Sequence, residues 1–374
     1  MADTTFQPGA TEPGGRTAAM SSGALIRYRF GRNRMAMFGL FLVILLYAIT
    51  IPADFTAPYD ATQRFQTSIN LPPQPLRIID EAGSLDWPFA YAMTQKTNPR
   101  TFRREYTADT TQKVYLQLFA PVTQVSADGT SSTGVRLFGF SGGSVHFLGT
   151  DAQGRDVLSR TIHGGRVSLL IGLIGVMISM TIGTLIGIIS GYVGGWVDNA
   201  TQRGIEVLLS FPTIPLWMAF SAAVPDTWSP LHVFFAMSLI ISFIGWASLA
   251  RIVRGITLSL KTEEYVTAAR ANGAGTWWIV RHHLLPGNYS YIIVALTLAI
   301  PNMILGETAL SFLGLGIRPP MVSWGSLLQT SQDINVIANQ PWVVFAAAVP
   351  VIMAVLAFNF VGDGLRDAVD PVGR

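Results

Sequence analysis

Cysteine is absent from the 374 residues. That excludes a disulfide framework, a thiolate zinc site and a cysteine nucleophile, and it suits a chain whose loops face an oxidising side without fixing the compartment. Charge is scarce as well: Asp, Glu, Lys and Arg make up 13% of the chain, where a soluble globular domain carries about 25%. Also missing are a GxxxxGK[ST] phosphate loop and an HExxH pair, and there is no nucleophile elbow, so no catalytic residue and no metal site is assigned. What is present is apolar. Half of the residues are hydrophobic and the mean hydropathy is +0.41, far too much apolar surface for a disordered chain. The 36 Gly and 21 Pro show no collagen period. The expected solvent is a bilayer.

The lengths of the charge-free intervals say where the chain crosses it, since a helix needs about 20 apolar residues to span a hydrocarbon core of about 30 Å. Six intervals qualify, and an all-α membrane protein of six transmembrane helices is expected. The first runs over 35–53, between Arg34 and Asp54, and the second over about 167–190, inside the long interval from Arg166 to Asp198. The others cover about 205–225, 231–250, 288–312 and 341–362, the fifth interrupted by Glu307. Pro212, Pro215, Pro301 and Pro350 are tolerable in such helices where neighbouring groups satisfy the freed carbonyls. A cleaved signal peptide is disfavoured at the first interval, which exceeds an h-region of about 7–15 residues.

Orientation follows from Lys and Arg in the short loops. Arg27, Arg29, Arg32 and Arg34 precede the first span; Arg251, Arg254, Lys261, Arg270 and Arg281 follow the fourth; the opposite short loops offer only Arg318. Residues 1–34 are then a cytoplasmic tail, disordered up to about 22, and 363–374 a cytoplasmic C-terminal tail. This topology accounts for the net charge of +3 and the pI near 9.3. There is neither a nucleic-acid motif nor a coherent basic face.

Residues 54–150 fall outside the membrane in this topology. Two alternating runs, Lys113 to Leu118 and Val135 to Phe140, read as strands in a small α+β insertion. It either covers the span ends or offers a docking surface to an outside partner. Val157, Leu158, Ile162 and Val167, beside Arg155, Arg160 and Arg166, suit an amphipathic helix lying in the interface before the second span. His163 stands alone and reads as a surface or capping residue.

Three features stand out in the core, 151–362. Gly183, Gly187, Gly191 and Gly195 recur every four residues and make a flat stripe for close helix contact, within the subunit or between subunits. Glu307 is the one carboxylate inside a span; it either touches solute in a pathway or is a helix-end carboxylate satisfied by neighbouring donors. The segment from Ser259 to Ser290 has a helix former from Glu264 to Ala271, glycine punctuation at Gly273 and Gly275, and a second helix expected to stop at Pro286. Tyr265, Val266, Trp277, Trp278 and Ile279 are too apolar for a solvated loop. The pair either projects into a cleft on a cytoplasmic partner or folds back on the chain's own face.

EYVTAARANGA followed by WWIVRHHLLP resembles the EAA loop of ABC importer permeases, here 259–287. FLGTDAQGRDVLSRTIHGGRVSLLIG (147–172), ETALSFLGLGIRPPMVSWGSLL (307–328) and FNFVGDGLRDAVDP (358–371) are similar to the second permease subunit of the dipeptide, oligopeptide and nickel importers. That resemblance implies a type I importer fold, and coupling to ATPases through Glu264, Tyr265, Ala268, Ala269, Arg270, Gly273, Trp277, Leu285 and Pro286. It implies as partners a homologous permease, two cytoplasmic ABC ATPases and an extracytoplasmic solute-binding protein, in a bacterial inner membrane and among its lipids. ATP and Mg²⁺ would bind the ATPases, and this chain would hold no cofactor. Peptides lead as solute; oligosaccharides, opines and nickel are the alternatives, since the outside insertion is longer than in the plain dipeptide permeases. Gly287 stands where the family has asparagine, a departure that bears on how the fifth span begins. An ion-coupled carrier is the competing class, supported only by Glu307 within a span and His232 near the end of one, and a membrane-anchored receptor the third.

Overall fold

A computed structural model describes residues 22–81, 83–100, 104–125 and 131–369. Residues 1–21, 82, 101–103, 126–130 and 370–374 lie outside the described residues, and with them the expected N-terminal disorder. Four helices are long and apolar enough to cross a membrane, or up to six if two bent pairs each count as one span. They are α4 (Val157–Val193), α7 (Pro230–Leu260), the run Thr276–Phe312 and α13 (Pro341–Val369). The bent pairs are α1 (Ser22–Arg32) with α2 (Arg34–Thr50), at 94°, and α5 (Gly195–Ser210) with α6 (Thr213–Ala222), at 87°.

Proline chemistry places the second bend. Pro212 disfavours helical backbone at the residue before it, and Phe211 is extended at φ −86°, ψ 138°. The uninterrupted helix expected over 205–225 is therefore two helices. By contrast Pro301 and Pro350 sit inside α10 (Leu285–Phe312) and α13 without ending them.

Close contacts give the helix directions. Along α4, Gly183, Gly187 and Gly191 meet the carbonyls of Trp246, Ala250 and Arg254 in turn, so α4 and α7 run parallel and the chain between them returns along α5 and α6. Gly172 meets Ile304, and Ser168 bonds Glu307, so α10 runs against α4. Gly39 of α2 meets the Ala357 carbonyl and Gly364 meets Ala36, so α2 runs against α13. The core is the apolar seam among these helices, centred on Leu169, Ile171, Met237, Ile241, Ile304 and Trp324.

The insertion is a four-stranded antiparallel meander in the order β1 (Arg77–Ile79), β2 (Leu85–Thr97), β3 (Arg104–Val125), β4 (Ser131–Ser141). Both expected strands are there, paired as Leu116 to Phe140 and Leu118 to Phe138. They are longer than the alternation suggested, because β3 shifts register past Tyr91/Ala92 and carries polar residues on both faces. Lys113 lies between Asp86 (2.9 Å) and Asp80 (3.2 Å) over the Phe89 ring. Its bond to Asp86 holds that carboxyl below the usual range. The sheet stands where α2 ends and α4 begins: Arg136 of β4 donates to the Pro58 carbonyl at 2.5 Å, and the neighbouring Tyr59 N–H donates to Ser159 Oγ of α4 at 3.0 Å.

Two local expectations fail here. The first turns of α4 are not a separate interfacial helix. Val157, Ile162 and Val167 are buried, but so are Arg160 and His163, because the short helix α3 (Ala53–Thr56) and α11 (Trp324–Gln329) with Ser323 before it pack on these turns. His163 is thus neither a surface residue nor a cap. The cap of α4 is Asp156, which accepts from the Ser159 N–H and holds buried His146 Nδ1 at 2.9 Å.

Candidate functional site

The segment expected to carry coupling is built as two helices on a glycine hinge. α8 (Glu264–Ala271) ends in a Schellman motif: the Ala274 N–H donates to Ala269 O and the Gly273 N–H to Arg270 O, both at 3.0 Å. Gly273 sits at φ +80°, a conformation costly for any residue with a Cβ. Beyond it α9 (Thr276–Ile279) leads into a π-helical turn, Val280–Leu284, and then directly into α10. The second helix does not stop at Pro286. The Leu285 N–H reaches back five residues to Val280 O; this wider turn absorbs the missing proline donor that would end an α-helix.

One face of this element is anchored. Val266, Ile279, Val280 and Leu284 are fully or nearly fully buried in the main core. The opposite face is bare: Glu264, Tyr265, Ala268 and Arg270 are exposed, and Trp277 is 64% exposed. Ala269 and Leu285 are half-buried, packed on the core, and Pro286 is exposed. His282 stacks on Trp278 at 4.6 Å, and His283 lies edge-on to Trp278 and tilted against Tyr265. An aromatic ridge stands on a helix whose other side continues into a membrane-length rod.

The foot of the rods is pinned beside it. Asp198 of α5 takes a two-pronged bond from the Arg254 guanidinium of α7 and accepts from Ser190 Oγ of α4 at 2.6 Å. Lys261 Nζ donates to Gly191 O at 3.1 Å. Arg270 lies over the Tyr192 ring at 5.5 Å, so α8 touches the end of α4 through a cation–π contact. The sequence offered no periodicity for this knot: Asp198 and Arg254 are 56 residues apart and read there only as punctuation.

The glycine stripe packs inside the chain. A Cβ on Gly183 or Gly187 would stand 2.7 Å from a carbonyl of α7, and on Gly191 2.9 Å. Gly195 does not belong to it. α4 ends at Gly194, and Gly195, at φ +58°, opens α5 with nothing within 4 Å. It serves the turn.

Glu307 is wholly buried. It accepts from Ser311 Oγ (2.6 Å) and Ser168 Oγ (2.8 Å), with the Ser323 hydroxyl alongside. Ser168 in turn accepts from the Trp324 N–H at 3.1 Å, and Trp324 Nε1 donates to Thr161 O at 2.9 Å. The carboxylate ties α4, α10 and the start of α11 together. It lines neither the cleft at the start of α4 nor the one between α4 and α10. Among the described residues, no three His, Asp or Glu side chains converge on a possible metal.

Residues 183–372 match the family described as binding-protein-dependent transport system inner membrane component, and residues 21–73 match the N-terminal transmembrane domain of oligopeptide transport permease C. The sheet falls in the interval between the two matches. The oligopeptide transport system permease protein OppC of Escherichia coli K12 is 43% identical over 236 residues, 62% of this chain and 74% of the relative. Its counterpart in Haemophilus influenzae is 45% identical over 229 residues, 61% and 71% of the two chains.

Proposed function

We propose, on the premise that the chain belongs to the family of binding-protein-dependent transport system inner membrane components as a C-type ABC importer permease, that it forms one half of a translocation pathway for peptides. It is a multi-pass inner membrane protein. Peptides are the solute because relatives 43% and 45% identical over 236 and 229 of its residues are oligopeptide permeases.

Six crossings with both termini on the cytoplasmic side fit the helix directions. Parallel α4 and α7 require a return crossing through α5 and α6, and the antiparallel pairs make the remaining elements alternate. The basic ends of α1 and α7 then share one side with α8, as the positive-inside rule asks. The sheet lies on the other side, outside the cytoplasm. A homologous permease would complete the pathway, and a solute-binding protein would deliver to the outer end.

The observation that carries the mechanism is the bare aromatic ridge of α8 and α9 joined without a break to α10. Two ATPases holding ATP and Mg²⁺ would dock on Glu264, Tyr265, Ala268 and Trp277. Their closure would displace the ridge, and because its buried face is continuous with α10 and tied to α4 through Arg270, the rods would rock rather than the loop bend. Chemistry stays on the ATPases; this chain supplies the lever.

The test is reconstitution with partner subunits in proteoliposomes. Glu264→Arg reverses charge on the exposed ridge, and Gly273→Pro forbids the φ of the hinge. Each is expected to leave the chain inserted in the membrane while lowering peptide-stimulated ATP hydrolysis and uptake together. Coupled uptake at wild-type rates in both variants would remove the ridge from the mechanism.

A further inference from the structure

At the end of the rods away from α8 lies a cleft of about 410 Å³, the size of a small-molecule site. It is open between the start of α4, the start of α7 and the loop before α11. Along α4, Arg166 at its rim and Gly191 at the foot are separated by about 37 Å at 1.5 Å per residue, more than a hydrocarbon core. The cleft therefore faces the side from which an imported solute arrives.

Its lining is divided. Leu170, Leu231, Phe234 and Met321 form an apolar wall. Opposite stand Asp54 and Asp60, with His163 and Arg166 at the edge. Asp54 is 71% exposed and gives one oxygen to Arg166 Nη1 at 2.8 Å, the other lying 3.9 Å from His163 Nδ1. Asp60 binds Thr62 through Oδ1 alone, from the N–H at 2.9 Å and from Oγ1 at 2.8 Å. Its Oδ2 has no bond to any described residue. Desolvation opposes its charge, but the two bonds from Thr62, together with nearby His163 and Arg136, hold its carboxyl below the usual range. Arg166 is paired with Asp54, while Arg136, whose guanidinium donates to the Pro58 carbonyl at 2.5 Å, keeps its charge but is not in the lining. Anionic acceptors open to the cleft outnumber cationic donors, beside a wall that suits a side chain.

We propose that this cleft receives the amino-terminal residue of the peptide, its ammonium between Asp60 and Asp54 and its side chain on the wall of Leu170, Leu231, Phe234 and Met321. The assignment rests on the peptide reading above and gives it a point of recognition on this chain. A free ammonium donates charge-assisted bonds to both carboxylates; an acetylated terminus offers one neutral N–H and adds bulk. The carboxyl end of the peptide makes no essential contact here.

The test measures binding of tri-alanine, N-acetyl-tri-alanine and tri-alanine amide to the purified full chain in nanodiscs by titration calorimetry, in parallel with tri-alanine uptake by the assembled transporter. Free and amidated peptides are expected to bind alike, and the acetylated one about tenfold or more weakly. Asp60→Asn and Asp54→Asn should each weaken the free peptide and shrink the penalty for acetylation, with thermal unfolding confirming that the variants remain folded; Thr62→Val is a milder variant acting on the same carboxylate. Equal binding of free and acetylated peptide, or a loss caused by amidation instead, overturns the subsite. If the assembled wild type still takes up tri-alanine in that case, the importer reading stands without it. Absence of both binding and uptake overturns the two together.

Discussion

Adding one methyl to Gly187 should separate the two parallel rods at the centre of the molecule. The new Cβ would lie 2.7 Å from the Ala250 carbonyl oxygen, 2.9 Å from Val253 Cβ and 3.0 Å from Val253 Cγ1. Carbon contacts at rest lie at about 3.5–4.0 Å, and the nearest obstacle is backbone, which cannot rotate away. The helices must move apart by several tenths of an ångström, loosening the neighbouring contacts at Gly183 and Gly191. Overpacking of this kind costs about 1–3 kcal/mol. Against it stands the better helix propensity of Ala over Gly, about 0.5–1 kcal/mol. The net loss for Gly187→Ala is about 1–2 kcal/mol. Gly255 in α7 is the internal control: it is exposed and helical, with nothing within 4 Å, so Gly255→Ala should be neutral or slightly stabilising. Thermal unfolding of the purified chain in one detergent compares them, with Gly187→Ala expected to melt a few degrees lower. Equal melting temperatures would refute the packing. Unchanged melting with loss of a co-purifying permease would place the stripe between subunits instead.

Asp198→Asn leaves the Arg254 guanidinium without its anion at a mostly enclosed helix junction, and should lower stability by about 2–3 kcal/mol, read by the same melting assay; Arg254→Lys, losing the two-pronged geometry, should fall between it and wild type. Glu307→Gln turns an acceptor of serine hydroxyls into a group that is half donor, and should cost about 1–3 kcal/mol while peptide uptake per folded molecule stays unchanged. A change in peptide selectivity would move Glu307 into the pathway. Gly273→Ala, which needs φ near +80°, should cost about 1–2 kcal/mol and reduce coupling less than Gly273→Pro.

Hydropathy and charge placement located the apolar stretches, since lipid imposes a length and a composition on whatever crosses it. Motif spacing located the α8 hinge, because a left-handed turn of backbone demands glycine wherever it occurs. Periodicity also found the stripe at Gly183, Gly187 and Gly191, though it wrongly carried on to Gly195, as regular spacing does not register where a helix ends. Local chemistry was misjudged where a second element intervenes. Pro286 looked like a stop, yet a π turn absorbs it; His163 looked solitary, yet the fold brings Asp54 and the chain before α11 up to its helix.

What tertiary structure alone decided is every relation between residues distant in the chain. The Asp198–Arg254 knot, the serine cradle around Glu307, and the pairing of Asp54 with Arg166 each join positions with no shared period and no local signature. A sequence records which residues are polar and how far apart they stand along the chain. Which of them meet depends on the directions of the helices, and in this protein those directions follow from contacts a glycine permits and a methyl would forbid.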